Sequence, residues 1–421
     1  MKENRLGRNI VSLYVLQGAN YLLPLVTLPY LVRVLGPEKY GLIAFTMAFI
    51  GYFTVFVDYG FNLSATREIA RQRNDPAKVA EIFSVVMSIK IVFMLAGFVL
   101  MSVIVAAWPA LGAERTLCYV AYLAVAGSVL FPVWFFQGME DMRTITGVSI
   151  IARILVLIGI FGLVKQESDY VLATALQAGT MVIAGVGGLF IILRKTDISL
   201  VRPTTAQVRD QLHKGWHIFT STAAVTLYTN SNIFILGLLT NHTIVGYYSA
   251  ADQIVKAVLG LLTPITQAIY PHISALVEVS RDRALRFIHT SFVRIGLLAC
   301  TLSILLMLLA EPLAFIILGD QYADAILILR ILALIPALVA ISNIFGVQSM
   351  LTFGLNREFS RILIWTGVIN IGLIVPLVML YQGPGAAVSV VLTESIVTIA
   401  MARSLARNGL GIIIRGDRQW T

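Results

Sequence analysis

The sequence predicts an all-α integral membrane protein of about twelve transmembrane helices in two six-helix lobes. Three observations carry this expectation. Apolar residues make up 58% of the 421 positions and charged residues only 13%, where soluble domains carry about 25% charge. Apolar runs recur along the whole chain, and most exceed the ~20 residues that cross a hydrocarbon core about 30 Å thick. Finally, basic residues fall in alternate connecting segments, as topology requires of a multi-pass protein.

Spans are expected near 9–34, 40–62, 81–106, 116–137, 144–164, 169–193, 215–240, 245–272, 290–310, 326–352, 361–381 and 385–407. Met1–Arg8 is polar and basic and runs straight into the first of them. It lacks the small-residue cleavage site of a signal peptide, so a retained first helix is expected. Gly383-Pro384-Gly385 marks a tight turn between the last two spans.

The loop charges orient this map. One alternating set of segments holds Lys2–Arg8, Arg67–Lys78, Arg143, Arg194–Lys214, Arg281–Arg286, Arg357–Arg361 and Arg403–Arg418. Together these carry 22 of the 31 Lys and Arg residues. The opposite set holds Lys39, Arg115 and Lys165 alone. The positive-inside rule then places the rich side, with both termini, in the cytoplasm, and an even number of spans follows.

The halves resemble each other in layout. Gly7 to Gly41 covers a basic start, a long helix, a short outer turn and Tyr-Gly. Gly215 to Gly246 repeats that order. The expected division is an N-terminal lobe over 1–193, a cytoplasmic linker over 194–214, a C-terminal lobe over 215–407 and a cytoplasmic tail over 408–421. Parallel repeats of this kind are a transporter architecture.

No catalytic signature is present: no His-Glu-x-x-His, no Walker loop and no nucleophile elbow. His213 and His217 flank Gly215-Trp216 at an expected interface, where anchoring explains them better than metal binding. Cys118 and Cys300 define neither a disulfide framework nor a metal site. No catalytic residue, metal or organic cofactor is expected, and nucleic acid is not an expected partner. The net charge of +9 has a topological cause and also admits anionic ligands.

The informative residues are charges inside spans: Arg33, Asp58, Lys90, Arg153, Asp252, Lys256, Arg294, Arg330 and Glu394. Each costs roughly 2.5–3.5 kcal/mol at a helix centre, so each is expected to face a bundle interior or a wet cavity. Lys90, Arg153, Lys256 and Glu394 lie closest to mid-membrane. Cations outnumber anions, which points to a cationic cavity holding an anion on Lys90, Arg153 and Lys256, with Arg330 and Arg33 as further candidates. Arg33 and Arg294 lie near span ends, where snorkelling to the interface is the simpler reading. Asp58, Asp252 and Glu394 are candidates for ion coupling or salt bridges, and Asp252 and Lys256 are spaced to pair with each other. Structural salt bridges are the alternative for the whole set. Gln17, Asn20, Asn230, Asn232 and Asn343 are candidate contacts to sugar hydroxyls, with Tyr14, Tyr21 and Tyr228 near them and Gln348 alongside Asn343. Interhelical hydrogen bonding is the competing role. Pro24 and Pro29 interrupt the first span and encourage a kink.

Several stretches carry a family resemblance. Asn20-Tyr-Leu-Leu-Pro24-Leu-Val-Thr-Leu-Pro29-Tyr-Leu-Val-Arg33-Val-Leu-Gly-Pro-Glu-Lys-Tyr-Gly41 resembles the first helix and turn of Wzx-type O-antigen flippases, in the polysaccharide-transport branch of the multidrug/oligosaccharidyl-lipid/polysaccharide exporter superfamily. Asp58-Tyr-Gly-Phe-Asn-Leu-Ser-Ala-Thr-Arg67, Pro132-Val-Trp-Phe-Phe-Gln-Gly138, Leu227-Tyr-Thr-Asn-Ser-Asn232 and Val245-Gly-Tyr-Tyr-Ser-Ala-Ala-Asp-Gln253 are similar to the same family. The resemblance implies a two-lobed, V-shaped exporter fold working by alternating access. It implies undecaprenyl-diphosphate-linked oligosaccharide as cargo, moved from the cytoplasmic to the periplasmic leaflet of a bacterial inner membrane. Membrane lipid and other polysaccharide-assembly membrane proteins are the remaining expected partners, and a proton or sodium gradient is a candidate energy source. An exporter of another small molecule and a membrane enzyme of polysaccharide assembly are the alternatives.

Overall fold

The computed structural model describes residues 2–195 and 201–411, with side chains from residue 24 onward except at 110, 195, 221, 224, 225 and 227–230. The described residues form helices and turns and no β-strand. In lipid the backbone has no water to bond, so helices that satisfy their own amides are the economical solution.

The first helix, α1 (Lys2–Asp58), leaves helical geometry only at Gly36, at φ 67°. Unbroken, 57 residues would run ~85 Å at 1.5 Å per residue, far beyond one bilayer. The break falls at Gly36-Pro37, inside the expected outer turn, and Pro37 then occupies the start of the second half, where its missing N–H costs nothing. The backbone stays helical through Pro24 and Pro29, and Thr27 Oγ1 donates to the Pro24 carbonyl at 3.1 Å.

The first basic connecting segment is itself a helix, α2 (Phe61–Gln72), burying Phe61, Ser64, Ala65 and Ile69. Next comes α3 (Pro76–Ala107), capped by the Asp75 carboxylate, which accepts from the Ala77 and Lys78 amides at 3.1 Å. The expected span 116–137 is segmented. After the short α4 (Pro109–Gly112) it comprises α5 (Arg115–Ala121), α6 (Leu123–Leu130) and α7 (Val133–Gly138). Pro132 explains the second interruption: it has no amide to donate and holds Phe131 out of the helical region. Then come α8 (Met142–Leu163), capped by Asp141, and α9 (Tyr170–Lys195).

Helix α10 (Thr205–Leu239) begins well before the expected span at 215. Thr204 and Gln207 form its capping box: Gln207 Oε1 accepts from the Thr204 amide at 2.8 Å, and Thr204 Oγ1 accepts from the Gln207 amide at 3.3 Å. Helices α11 (His242–Val279) and α12 (Arg281–Leu308) start on Asn241 and Ser280 caps. Beyond the short α13 (Ala310–Leu313), the expected span 326–352 comprises α14 (Ala325–Leu332), α15 (Ile335–Phe345) and a π-helical turn at Gly346–Leu351. The last helix, α16 (Asn356–Arg407), breaks at Gln382, at φ 52°, one residue ahead of Gly383-Pro384-Gly385.

Among the described residues nine helical stretches are long and apolar enough to cross a membrane. Two of these contain the breaks at Gly36 and Gln382, and α10 adds a further long helix. This agrees with a twelve-span map.

The chain divides into two compact units, Met1–Asn230 and Ser231–Thr421. The division falls inside α10 and not at the 194–214 linker. The reason is that the first turns of α10 pack on the first unit: Val208 and Leu212 rest on its aromatic core. That core joins Phe61, Ala65 and Ile69 of α2 to Phe83 of α3 and Trp134, Phe135 and Phe136 of α7. Two of the family-like motifs thus pack on each other, and Thr66 Oγ1 bonds the Trp134 carbonyl at 3.1 Å. In the second unit, α11, α12, α15 and α16 share a core around Ile288, Ile344, Phe345, Met401 and Leu405. Both units carry large apolar residues on the outside, such as Val92, Leu95 and Val99 on α3 and Leu297, Ile304 and Leu308 on α12. In water such an exterior would aggregate; in lipid it is the solvated face.

Candidate functional site

Three intramembrane cations in the first unit sit in different surroundings. Lys90 of α3 is enclosed, with 1% of its surface open. Its ammonium donates to Asp58 Oδ1 at 2.7 Å and to the Ser128 carbonyl of α6 at 3.0 Å. Asp58 is the last residue of α1, because Tyr59 (φ 42°) and Gly60 (φ 77°) turn the chain out of the helix. A carboxylate at a helix C-terminus opposes the macrodipole, and Lys90 supplies the compensating charge. The ammonium expected to meet an anionic ligand is therefore committed to protein groups, and a ligand reaches it only by displacing Asp58. Arg153 is half-buried on α8, and Arg33 is exposed on α1 one turn before the Gly36 break.

The second unit presents a different arrangement. Asp252 and Lys256 pair along α11 at 2.6 Å, and Lys256 keeps 55% of its side-chain surface open. Helical periodicity aligns Asp252, Lys256, Thr263 and Gln267 within about 60° of one another, and none of the four is buried. Leu261 and Ile265, exposed apolar residues of the same helix, point the opposite way. Helix α11 therefore has a lipid-facing side and, across from it, an open polar stripe carrying a cation.

Asn343 of α15 is half-buried, and its Oδ1 accepts from Gln348 Nε2 at 3.4 Å. That same amide donates to the Thr266 carbonyl of α11 at 2.8 Å. These contacts tie α15 and its π turn to α11, the interhelical role. Asn232 is buried on α10, and its Oδ1 has no hydrogen-bond partner among the described residues. Glu394 is half-buried on α16. Arg330 pairs with Glu311 at 3.1 Å, and both remain about half open, which makes this a surface ion pair. The side chains of Gln17, Asn20, Asn230, Tyr14, Tyr21 and Tyr228 lie outside the described residues.

Two features went unseen in the sequence. Asn370, Ser389 and Thr393 form a fully buried network within α16, with Asn370 Nδ2 donating to Thr393 Oγ1 at 3.0 Å. Nothing in their spacing distinguishes them from other small polar residues in apolar runs. The second is a cleft of about 830 Å³ in the first unit, lined by Tyr59, Thr205, Ala206, Arg209, Asp210, Leu212, His213 and Trp216. Beside it Lys214 binds Asp210 and Glu68, and Glu68 also accepts from Gln211. Burial works against the Lys214 ammonium, but its bonds to Asp210 and Glu68 prevail and hold its pKa above the usual lysine value. Among the described residues no group of three or more His, Cys, Asp or Glu is placed to hold a metal.

The sequence and fold were compared with known proteins. Residues 6–277 match the family model described as polysaccharide biosynthesis protein. A protein of Escherichia coli (strain K12) named "Putative O-antigen transporter" is 37% identical over 97% of this chain and 99% of its own length. A protein of the same name from Shigella dysenteriae is 30% identical over 94% of this chain and 99% of its own. Among solved structures, the lipid II flippase MurJ in an inward closed conformation superposes with a TM-score of 0.72 at 13% identity, covering 94% of this chain and 87% of that one. An inward-facing multidrug resistance MATE transporter of the MOP superfamily gives 0.66 at 16% identity, over 96% and 98%. At these identities the structural matches establish a shared membrane-transporter fold.

Proposed function

The chain belongs to the polysaccharide biosynthesis protein family, and from that premise we propose that it is a flippase for lipid-linked O-antigen repeat units in the bacterial inner membrane. The cargo is an oligosaccharide on undecaprenyl diphosphate, moved from the cytoplasmic to the periplasmic leaflet, with both termini of the chain in the cytoplasm. The observation that carries the mechanism is the open polar stripe of α11, with Lys256 at its centre.

A diphosphate with several sugars cannot enter hydrocarbon unaided, because stripping water from an ion costs tens of kcal/mol in a Born estimate. The polyprenyl tail needs no such help and stays in lipid. The head group therefore needs a wet path with a cation on it. Lys256 meets this need because more than half of its side chain is open. A diphosphate can approach the ammonium directly and compete with Asp252 for it. Lys90 does not meet it, because its ammonium is enclosed and already bonded to Asp58 and the Ser128 carbonyl. Arg153, half-buried on α8, is the corresponding cation of the first unit, and Thr263 and Gln267 offer hydrogen bonds to sugar. Alternating access then exposes the head group on the other side. An inside-negative potential favours outward movement by about 2.3 kcal/mol per charge per 100 mV. Asp252, released when Lys256 binds cargo, is the carboxylate placed to take a proton or sodium ion in the same cycle; Asp58 and Glu394 are the other candidates.

The test is Lys256→Ala in a strain whose O-antigen display depends on this chain. Display is expected to fall with protein abundance unchanged, while Lys256→Arg retains most of it. Normal display in Lys256→Ala overturns the assignment of Lys256. Unchanged leaflet distribution of the lipid-linked repeat unit on deletion of the whole gene overturns the cargo.

A further inference from the structure

We propose that the cleft beside Tyr59 is a second ligand site, built for the phosphate of a membrane lipid and separate from the α11 stripe. It lies at the Lys- and Arg-rich end of the first unit, on the first turns of α10. Arg209, His213 and Trp216 follow each other at i, i+4 and i+7, so all three project from one face of that helix, while Tyr59 closes the cleft from the α1–α2 corner.

The charges are already sorted for an anion. The one carboxylate in the lining, Asp210, is paired with Lys214 at 2.5 Å. Glu68 is not part of the lining and is bonded to Lys214 and Gln211. Arg209 is exposed and has no carboxylate at ion-pair distance among the described residues. Its guanidinium keeps a planar fork of donors, the geometry that matches phosphate oxygens. Thr205 and Ala206, at the N-terminal end of α10, add the positive end of a 35-residue helix to the same lining.

The remaining groups select a lipid over a soluble anion. Trp216 is half exposed where α10 enters its apolar stretch, and Tyr59 stacks on Phe219 with ring centroids 4.7 Å apart. Aromatic residues at this depth sit among head groups. The volume of about 830 Å³ greatly exceeds one phosphate, leaving room for the glycerol or sugar attached to it. The walls of the cleft are closely packed. A Cβ on Gly215 would lie 2.9 Å from the Tyr59 carbonyl, and one on Gly60 would lie 2.7 Å from Ile218, so α10 and the corner are in full contact. The shared chemistry is a lipid phosphate, and two lipids supply it: a glycerophospholipid of the bilayer, or a polyprenyl phosphate.

Native mass spectrometry of the purified full-length protein tests the proposal. The protein is titrated separately with phosphatidylglycerol, a polyprenyl monophosphate and phosphatidylcholine. We expect at least one of the two anionic lipids to bind at least tenfold tighter than phosphatidylcholine, and the better of the two identifies the source. Arg209→Ala should weaken that binding about tenfold, Arg209→Lys less, and Arg202→Ala, outside the cleft, not at all. Melting temperatures equal to wild type confirm that Arg209→Ala is folded, as its exposed position implies; Arg209→Gln serves as the second variant. Equal binding of all three lipids, or full anionic-lipid binding in Arg209→Ala and Arg209→Gln, overturns the site. Lys256→Ala is expected to leave this binding intact, so the two sites are tested independently.

Discussion

Replacing Asp58 by Asn isolates a buried ammonium and measures what the ion pair contributes. At the 2.7 Å separation of Lys90 and Asp58, the direct attraction is ~6 kcal/mol for an effective dielectric of about 20. Desolvation of the two ions, several kcal/mol each, offsets most of that. The loss on breaking the pair is therefore dominated by the charge left behind. For Asp58→Asn that charge is Lys90, which is 1% exposed, and the expected destabilisation is about 3–5 kcal/mol. The reverse variant, Lys90→Met, strands a carboxylate that keeps 26% of its surface open and can stay hydrated, so it should cost less. The double variant removes both charges and should recover much of the loss, since apolar or neutral replacements of buried pairs are often near neutral. Thermal unfolding in one detergent, followed with a thiol-reactive dye in a Cys300→Ser background, provides the assay: Cys300 is only half-buried, whereas Cys118 is fully buried in the first unit and reacts on unfolding. The expected order of melting points is wild type, then the double variant and Lys90→Met, then Asp58→Asn lowest. An Asp58→Asn protein that melts with wild type, or a double variant that melts below both single ones, would refute the reasoning. The consequence for transport assays is concrete: loss of O-antigen display in Lys90→Ala should come with loss of protein.

Other substitutions separate the remaining charges. Lys256→Ala strands Asp252, which keeps 21% of its side chain open and can stay hydrated, so the loss of stability should be smaller than in Asp58→Asn while O-antigen display falls; a drop in melting point as large as that of Asp58→Asn would assign Lys256 to packing instead. Arg330→Ala should change neither stability by more than about 1 kcal/mol nor display, because its pair with Glu311 is open to solvent; a clear loss of display would return it to the substrate path. Gly60→Ala forces a side chain into the left-handed region at φ 77° and against Ile218. That conformation alone costs roughly 1–2 kcal/mol, and lower expression and melting point are expected. Wild-type behaviour would show that the corner adapts.

What the sequence determined by itself follows from the solvent. Lipid demands helices whose amides are satisfied within the segment, so length and hydropathy predicted the all-α membrane fold and a turn between residues 34 and 40, and local chemistry marked the break near Gly383-Pro384-Gly385; the kink expected at Pro24 and Pro29 fell instead at Gly36. The Asp252–Lys256 pair was equally legible, because four residues is one helical turn and no other element takes part. The tertiary structure decided what depends on how separate helices rotate and dock. Lys90 and Lys256 read alike as mid-span cations, yet one is enclosed by a carboxylate 32 positions away in sequence and the other stands on an open polar stripe. The later part of the linker over 194–214 is the first turns of α10, where Val208 and Leu212 pack on the first unit's core and Gly215 meets Tyr59. That docking also shaped the cleft at Arg209. Helix formation in a membrane is a local energy balance and can be read along the chain; the pairing of a buried charge is a contact between distant segments, and only packing selects it.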